Sequence, residues 1–356
     1  MNVKNVIISS DITKNLETAI TAKEYDRIFI LTDESTYRFC RPMINGTACL
    51  SRATDIIIGA TDENKTLDSL ASVWTRLSNE GASRHSLLIN LGGGMVTDLG
   101  GFAASTFKRG IAYINIPTTL LAMVDASVGG KTGINFNGLK NEVGVFSASE
   151  CVILDTRFLR TLDMGNKCSG YAEMLKHGLI SNIEHWKELM DFDILADESC
   201  FGYEQLARMV GESVKIKERI VTEDPYEKGI RKALNFGHTA GHAVESLALM
   251  KHKPVLHGYA VAWGMICELY LSCVKSGFPT DIMRQTTNFI KECYGFADIE
   301  CNDYEALYKF MTHDKKNSGD TINFTLLGDI GDIKINQSAT KNEIFEMLDF
   351  YRDGIS

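Results

Sequence analysis

His238 and His242 stand four residues apart in the run Arg231-Lys-Ala-Leu-Asn-Phe-Gly-His-Thr-Ala-Gly-His242, a spacing that puts both on one face of a helix. Asn235 and Arg231 precede His238 by three and seven residues, so a helix running from Arg231 would carry four polar groups on nearly one face. Such a row packs a core poorly. His257 follows in Leu256-His257-Gly258, and Glu173 lies upstream in Ala172-Glu173-Met174-Leu175-Lys176-His177. Two histidines and one carboxylate from separate segments make a usual catalytic zinc set, with one coordination position left open. Spacing alone leaves a second reading, a capped helix with surface histidines. The pattern is not the zinc-protease signature, because no glutamate follows the first histidine.

These residues need a frame. At 356 residues the chain is long for one domain, so two are expected. Short Val- and Ile-rich runs at Val3–Ser9, Arg27–Thr32, Asp55–Gly59, Ser86–Leu91, Ile111–Ile116 and Cys151–Leu154 are separated in several places by helix-length segments such as Thr66–Gly81. That is the pattern of a mostly parallel sheet with helical crossovers. From about Arg157 the periods lengthen, giving helices over Ser169–Ile180, Ile183–Met190, Tyr203–Thr222, Arg231–Leu249, Gly258–Ser276 and Asp281–Glu292. Thr321–Leu327 and Asp332–Ile335 read as a hairpin around Gly328-Asp-Ile-Gly331. The expected domains are 1–160 and 161–356, with the linker near Asp155–Leu162.

Within the first half, Leu91-Gly92-Gly93-Gly94-Met95-Val96-Thr97-Asp98 follows an apolar run and precedes a helix. Bare backbone N–H groups could there approach a pyrophosphate at the helix N-terminus. Thr97 stands where the standard dinucleotide turn has its third glycine, so a plain tight turn remains open. Asp33 ends the second run at a strand's C-terminal edge, where α/β folds bind ligands, although position alone slightly favours a helix N-cap or turn role. Gly129-Gly-Lys-Thr132 looks like half a phosphate loop, but the Walker pattern needs a glycine where Asp125 stands. Lys131, Lys140 and Asn141 crowd Gly-rich chain near Asp125, suiting anion or carbonyl recognition or else a solvated loop.

Composition excludes several classes. Hydrophobic residues at 44% and charged ones at 23% are ordinary for a soluble globular protein. No apolar run approaches the roughly 20 residues of a membrane span, and the N-terminus does not read as a signal peptide. Nine cysteines without a CxxC pair suggest reduced thiols in a cytoplasm. A net charge of −9 argues against nucleic acid as a partner, though lysines gathered in one place could still take an anionic substrate.

Taken together and in order, GGGMVTD, STFKRG, IPTTLLAMVDASVGGKTGIN, LKN, GYAEMLKHG, RKALNFGHTAGHAVES, LHG and DKKN resemble the dehydroquinate synthases of the shikimate pathway, over roughly residues 25–335. The resemblance implies a Rossmann-like α/β N-terminal domain that binds NAD and a mostly α-helical C-terminal domain that holds a zinc-type metal, zinc or cobalt. It implies metal ligands Glu173, His238 and His257, with His242 left to substrate. NAD would rest on Gly93, Gly94 and Asp98, with Thr118, Thr119, Lys131, Lys140, Phe158 and Thr161 around it and Asp33 at the adenosine ribose. Asp62-Glu-Asn-Lys65 departs from the family's Glu-x-x-Lys by one methylene at Asp62, and LHGYAV departs from LHGEAV at Tyr259. Substrate would meet Asp125, Lys131, Asn141, Lys176, Lys217, Glu227, Arg231, Asn235, His242 and one of Lys315 or Lys316. Arg109 would reach the phosphate bound by a second copy in a homodimer. The implied substrate is a seven-carbon keto acid phosphate, an anionic sugar phosphate that loses phosphate and closes to a carbocycle while NAD is regenerated each turnover.

Three rivals stand beside this reading. A polyol dehydrogenase such as glycerol dehydrogenase has a similar domain plan, but a small neutral polyol needs few cations, and this chain carries Lys131, Lys176, Lys217 and Arg231. A sister sugar phosphate cyclase making an inosose or valiolone would have no substrate carboxylate for Arg231. A non-catalytic NAD-binding sensor would leave the metal set and substrate cluster without a use.

Overall fold

The computed structural model describes residues 6–197, 199–312 and 322–353, so Lys315 and Lys316 lie outside the described residues. The chain divides into two compact units, one of Met1–Asp163 with Tyr203–Val214 and one of Met164–Gly202 with Lys215–Ser356.

The first unit is built on six parallel strands: β1 (Val6–Ile8), β2 (Ile28–Asp33), β3 (Thr54–Ile58), β4 (Leu87–Gly92), β5 (Ala112–Pro117) and, after a hairpin, β8 (Cys151–Leu154). Every residue of β4 and β8 is buried, as near-continuous apolar runs between two layers of helices require. Helix α1 (Ile12–Thr21) buries Ile12, Leu16 and Ile20 on one face. Short α2 (Glu34–Phe39) follows β2 directly. Leu70, Val73 and Leu77 of α3 (Leu67–Asn79) and Val96, Leu99 and Phe102 of α4 (Gly94–Thr106) enter one core with Phe29, Leu31 and Leu88. The strand order is β1-β8-β5-β4-β2-β3. The chain runs outward from β2 to β3, then returns to the other side of β2 at β4. The sheet's direction of growth therefore reverses between β2 and β4, the kind of switch point at which open α/β sheets bind ligands beyond their strand ends.

Lys131, Lys140 and Asn141, for which a solvated loop was the alternative reading, lie on an antiparallel hairpin, β6 (Lys131–Phe136) and β7 (Leu139–Phe146). Every residue of β7 is exposed, Leu139 (53%), Val143 (40%) and Val145 (38%) included.

Helix α7 (Tyr203–Glu223) contributes to both units. The second unit is otherwise α5 (Met164–Leu179), α6 (Ile183–Asp191), α8 (His238–Met250), α9 (His257–Ser276), α10 (Thr280–Tyr294), α11 (Tyr304–Thr312) and α12 (Lys341–Asp353), with the expected hairpin of β9 (Asn323–Asp329) and β10 (Asp332–Ser338). From Lys167 to Leu179, α5 is wholly buried. Backbones touch where glycines face neighbouring helices: a Cβ on Gly264 of α9 would sit 2.0 Å from the Gly237 carbonyl oxygen, and one on Gly258 would sit 1.9 Å from that of Ser169.

All nine cysteines are free thiols. Burial pushes Cys40 and Cys151 up to about 11 and Cys293 up to about 12. Among the described residues no helix is long and apolar enough to cross a membrane.

Candidate functional site

In the second unit, three segments converge on one carboxylate. Glu173 is fully buried on α5, and Lys176, one turn on, donates to its Oε2. Its Oε1 is buried with no hydrogen-bond partner. That atom lies 3.5 Å from His238 Nε2 and 3.7 Å from His257 Nε2. Ligand atoms about 2.0–2.2 Å from a tetrahedral zinc stand roughly 3.3–3.5 Å apart, so the two distances suit a shared ion. Nδ1 of each ring is engaged elsewhere: His238 Nδ1 faces the Phe236 carbonyl oxygen at 3.1 Å, and His257 Nδ1 faces Glu245 Oε2 at 3.3 Å. With Nδ1 donating, Nε2 keeps its lone pair, the tautomer a metal ligand needs. An otherwise orphaned buried carboxylate oxygen facing two such nitrogens fits a divalent cation. His242 joins the group, its ring centre 5.3 Å from that of His238 and 5.8 Å from that of His257. Its ligand atom also lies within 4.8 Å of those of the other two histidines.

The helix carrying His238 begins later than its spacing suggests. Residues 230–235 form a 3-10 turn, Gly237 takes a left-handed φ of 78°, and α8 starts at His238. Arg231 and Asn235 therefore do not extend the histidine face, which corrects the expectation of one helix from Arg231. A Cβ at Gly237 would meet Met265 Cγ at 2.6 Å, so neither its dihedral nor its space suits another residue. Glu268, fully buried on α9, accepts from Gly237 N–H at 2.7 Å, Thr239 N–H at 3.0 Å and Ala240 N–H at 3.2 Å. A carboxylate there satisfies the first-turn donors and complements the helix dipole. The sequence reading did not single it out, although a lone acid within apolar Val261–Leu271 is a legible signal.

Arg231, Asn235 and Glu227 are instead gathered by their own loop. Asn235 Nδ2 donates to Glu227 Oε1 at 2.8 Å, and an Arg231 guanidinium N–H donates to the Pro225 carbonyl at 2.7 Å. Asp224 organises the loop by accepting from Gly229 N–H at 2.6 Å and Arg231 N–H at 3.1 Å. Burial works to raise the Asp224 carboxyl, but backbone donors from Gly229, Lys228 and Arg231 outweigh it and hold it below the ordinary value. Lys176, Lys217 and Arg231 are all at most 5% exposed within this unit.

In the first unit, residues of the Gly-rich turn and its surroundings flank the switch point. Gly93 caps α4 without a side chain, and a Cβ there would sit 3.0 Å from Thr119 Cγ2. The close helix-to-sheet approach that a third turn glycine usually permits falls at Gly100, where a Cβ would sit 2.0 Å from Asn90 Oδ1. Asp33 fills both of its expected places, last in β2 and N-cap of α2, where it accepts from Thr36 N–H at 2.8 Å. Cys40, not noted in the sequence, lies near Thr118, Thr161 and Asp33. Thr161 Oγ1 donates to the carbonyl of buried Phe158 at 3.1 Å.

A second cluster joins Lys65, whose ammonium donates to Asp98 Oδ2 at 2.5 Å and to Asn141 Oδ1 at 2.6 Å. Asn135 holds Asn141 N–H at 3.0 Å, and Lys140 stands 3.8 Å from Asp62. Burial pushes the Asp98 carboxyl above the ordinary value while Lys65 pulls it back. Asp125 sits in a single π-helical turn, Ala122–Ala126, and Lys131 is exposed at the start of β6. Arg109 lines a cavity of about 350 Å³ with Tyr113, Val145 and Phe146. Lys108 and Arg109 take left-handed φ of 49° and 68°, a strain of order 1–3 kcal/mol per residue that surrounding contacts must offset.

The fold of these two units is shared with solved sugar phosphate cyclases. A solved 2-deoxy-scyllo-inosose synthase, complexed with carbaglucose-6-phosphate, NAD+ and Co2+, superposes with a TM-score of 0.84 at 24% identity, covering 97% of this chain and 96% of that one. The 2-epi-5-epi-valiolone synthase of Streptomyces hygroscopicus, with NAD+ and Zn2+ bound, also gives 0.84 at 24% identity, covering 99% and 97%. The family models for the 3-dehydroquinate synthase N-terminal and C-terminal parts match residues 55–168 and 170–317. A 3-dehydroquinate synthase of Parabacteroides distasonis is 56% identical over 353 residues, 99% of both chains. The chain belongs to the 3-dehydroquinate synthase family.

Proposed function

We propose that the chain converts 3-deoxy-D-arabino-heptulosonate 7-phosphate to 3-dehydroquinate and phosphate, with residues up to about 160 serving NAD, Asp125, Lys131 and Asn141 among them also meeting substrate, and the remainder serving metal and substrate. The observation that carries the reading is the orphaned Glu173 Oε1 facing His238 Nε2 and His257 Nε2. When bound, a zinc or cobalt ion supplies Lewis acidity to a substrate hydroxyl and NAD supplies a reversible hydride acceptor. Glu173, His238 and His257 hold the ion. Arg231 meets the substrate carboxylate as a planar fork, and Lys176, Asn235 and His242 meet its phosphate. Lys217, Glu227, Asp125, Lys131 and Asn141 orient the remaining hydroxyls. Gly93, Gly94 and the α4 N-terminus receive the dinucleotide's pyrophosphate, and Asp33 its adenosine ribose. Asp62, Lys65, Asp98, Thr118, Thr119, Lys140, Phe158 and Thr161 line the same cofactor.

The enzyme acts in the cytoplasm as a homodimer, with Arg109 reaching the partner subunit's substrate phosphate. Support comes from the exposed apolar positions of β7 and from the cavity that Arg109 shares with Val145 and Phe146. The test is phosphate release from the heptulosonate phosphate with NAD far below substrate. Turnovers should exceed NAD molecules, a chelator should abolish them, and zinc or cobalt should restore them. NADH accumulating mole for mole with product would instead identify a dehydrogenase, and full activity in a metal-free preparation would overturn the metal assignment.

A further inference from the structure

His238, His242 and Glu245 occupy positions i, i+4 and i+7 of α8, so one helix face carries two imidazoles and a carboxylate. Glu245 is 8% exposed, and its Oε2 lies 3.3 Å from Nδ1 of His257, the first residue of α9. We propose that Glu245 is a positioning residue of the metal centre, fixing the tautomer and ring angle of His257 so that Nε2 faces Glu173. The inference rests on the metal reading of Glu173, His238 and His257.

The physical need is specific. His238 directs its Nδ1 to the Phe236 carbonyl, two residues away on its own chain. His257 begins its helix after Leu256, which is extended and provides no side-chain cap. The acceptor for its Nδ1–H comes instead from Glu245, twelve residues earlier. An anionic acceptor on the far nitrogen of an imidazole selects the tautomer, stops ring rotation and makes the ligating nitrogen more basic. α8 thereby supplies one histidine directly and steadies another on α9.

The experiment titrates cobalt(II) into chelator-stripped full-length protein against a competing chromophoric chelator, and records the visible cobalt spectrum. Glu245→Ala should bind cobalt about 10–100-fold more weakly, with the absorption bands of the saturated protein retained because no ligand is lost. Glu245→Gln, nearly isosteric and still an acceptor for Nδ1–H, should lose less than about tenfold. His257→Ala serves as the control. If His257→Ala weakens cobalt binding but Glu245→Ala does not, the positioning role is wrong and the metal reading survives. Equal losses in the Gln and Ala variants would assign the effect to charge alone and also overturn it. Should His257→Ala itself bind cobalt as tightly as the unsubstituted protein, the metal reading fails and takes the inference with it.

Discussion

At the scale of single residues, the two units each rest on a buried or half-buried acid whose partner sets its task. Asp98 is tied to Lys65 in the first unit, whereas Glu173 keeps one oxygen bonded to Lys176 and one open. Replacing Asp98 by Ala removes Lys65's ionic partner within the proposed cofactor cluster and leaves a buried ammonium short of an acceptor, a cost of about 1–3 kcal/mol. Asp98→Ala should therefore weaken NAD binding by roughly ten- to a hundredfold while cobalt affinity stays unchanged. Nucleotide fluorescence titration and cobalt titration on the same preparation check both halves. At this scale the candidate metal residues were named by the motifs they sit in, whereas spacing alone left a capped helix with surface histidines equally open. Glu245 was not named, and Glu268 showed only as a lone acid in an apolar run. Each acts on a group 12 to 31 residues away through tertiary contact, and periodicity carries no record of that.

Among the elements, the parallel strands were readable because Val- and Ile-rich runs buried on both faces leave a continuous apolar signature. The hairpin of β6 and β7 was hidden, since β7 is exposed throughout and shows no buried alternation. The late start of α8 was hidden too, because apolar spacing in 231–249 continues through Gly237 while its left-handed φ does not. Helix α12 supplies a prediction. Glu343 accepts from Thr340 N–H at 2.6 Å and from Lys275 at 2.5 Å, and Thr340 Oγ1 accepts from Glu343 N–H at 3.3 Å, a capping box tied to the end of α9. The Lys275 ammonium foremost, then the Thr340 backbone, hold the Glu343 carboxyl at about 2 against an ordinary 4.5. A carboxyl lowered in the folded state stabilises fully above its unfolded value and loses that stabilisation as pH falls through the folded one. Glu343→Gln should cost about 1–2 kcal/mol at pH 7, and the difference should shrink between pH 4.5 and 2. Thermal unfolding of both proteins across that range measures it; a difference independent of pH would refute the ionic account.

For the whole molecule, a net charge of −9 coexists with buried Lys176, Lys217 and Arg231, so its few enclosed cations matter more for an anionic substrate than its overall sign. Arg109 extends that argument to the proposed dimer. Loss of a bidentate guanidinium–phosphate contact, about 1.5–3 kcal/mol, should slow turnover roughly ten- to a hundredfold. Pairing an unsubstituted subunit with one carrying both Arg109→Ala and Glu173→Ala isolates the direction of the contact. If Arg109 acts across subunits, the one intact metal site faces a missing arginine and the mixed dimer falls to the Arg109→Ala level. Half of full activity would place Arg109 in its own subunit's site. The free thiols bear on how such a molecule ages in a cell. Oxidants and electrophiles attack the thiolate, and a thiol at about 11 is ionised to only about one part in ten thousand at pH 7. Cys40 and Cys151 are therefore shielded twice over, by packing and by protonation, and chemical damage would begin at exposed Cys200 and Cys301, leaving the strands and the Gly-rich turn intact through the early stages of oxidative stress.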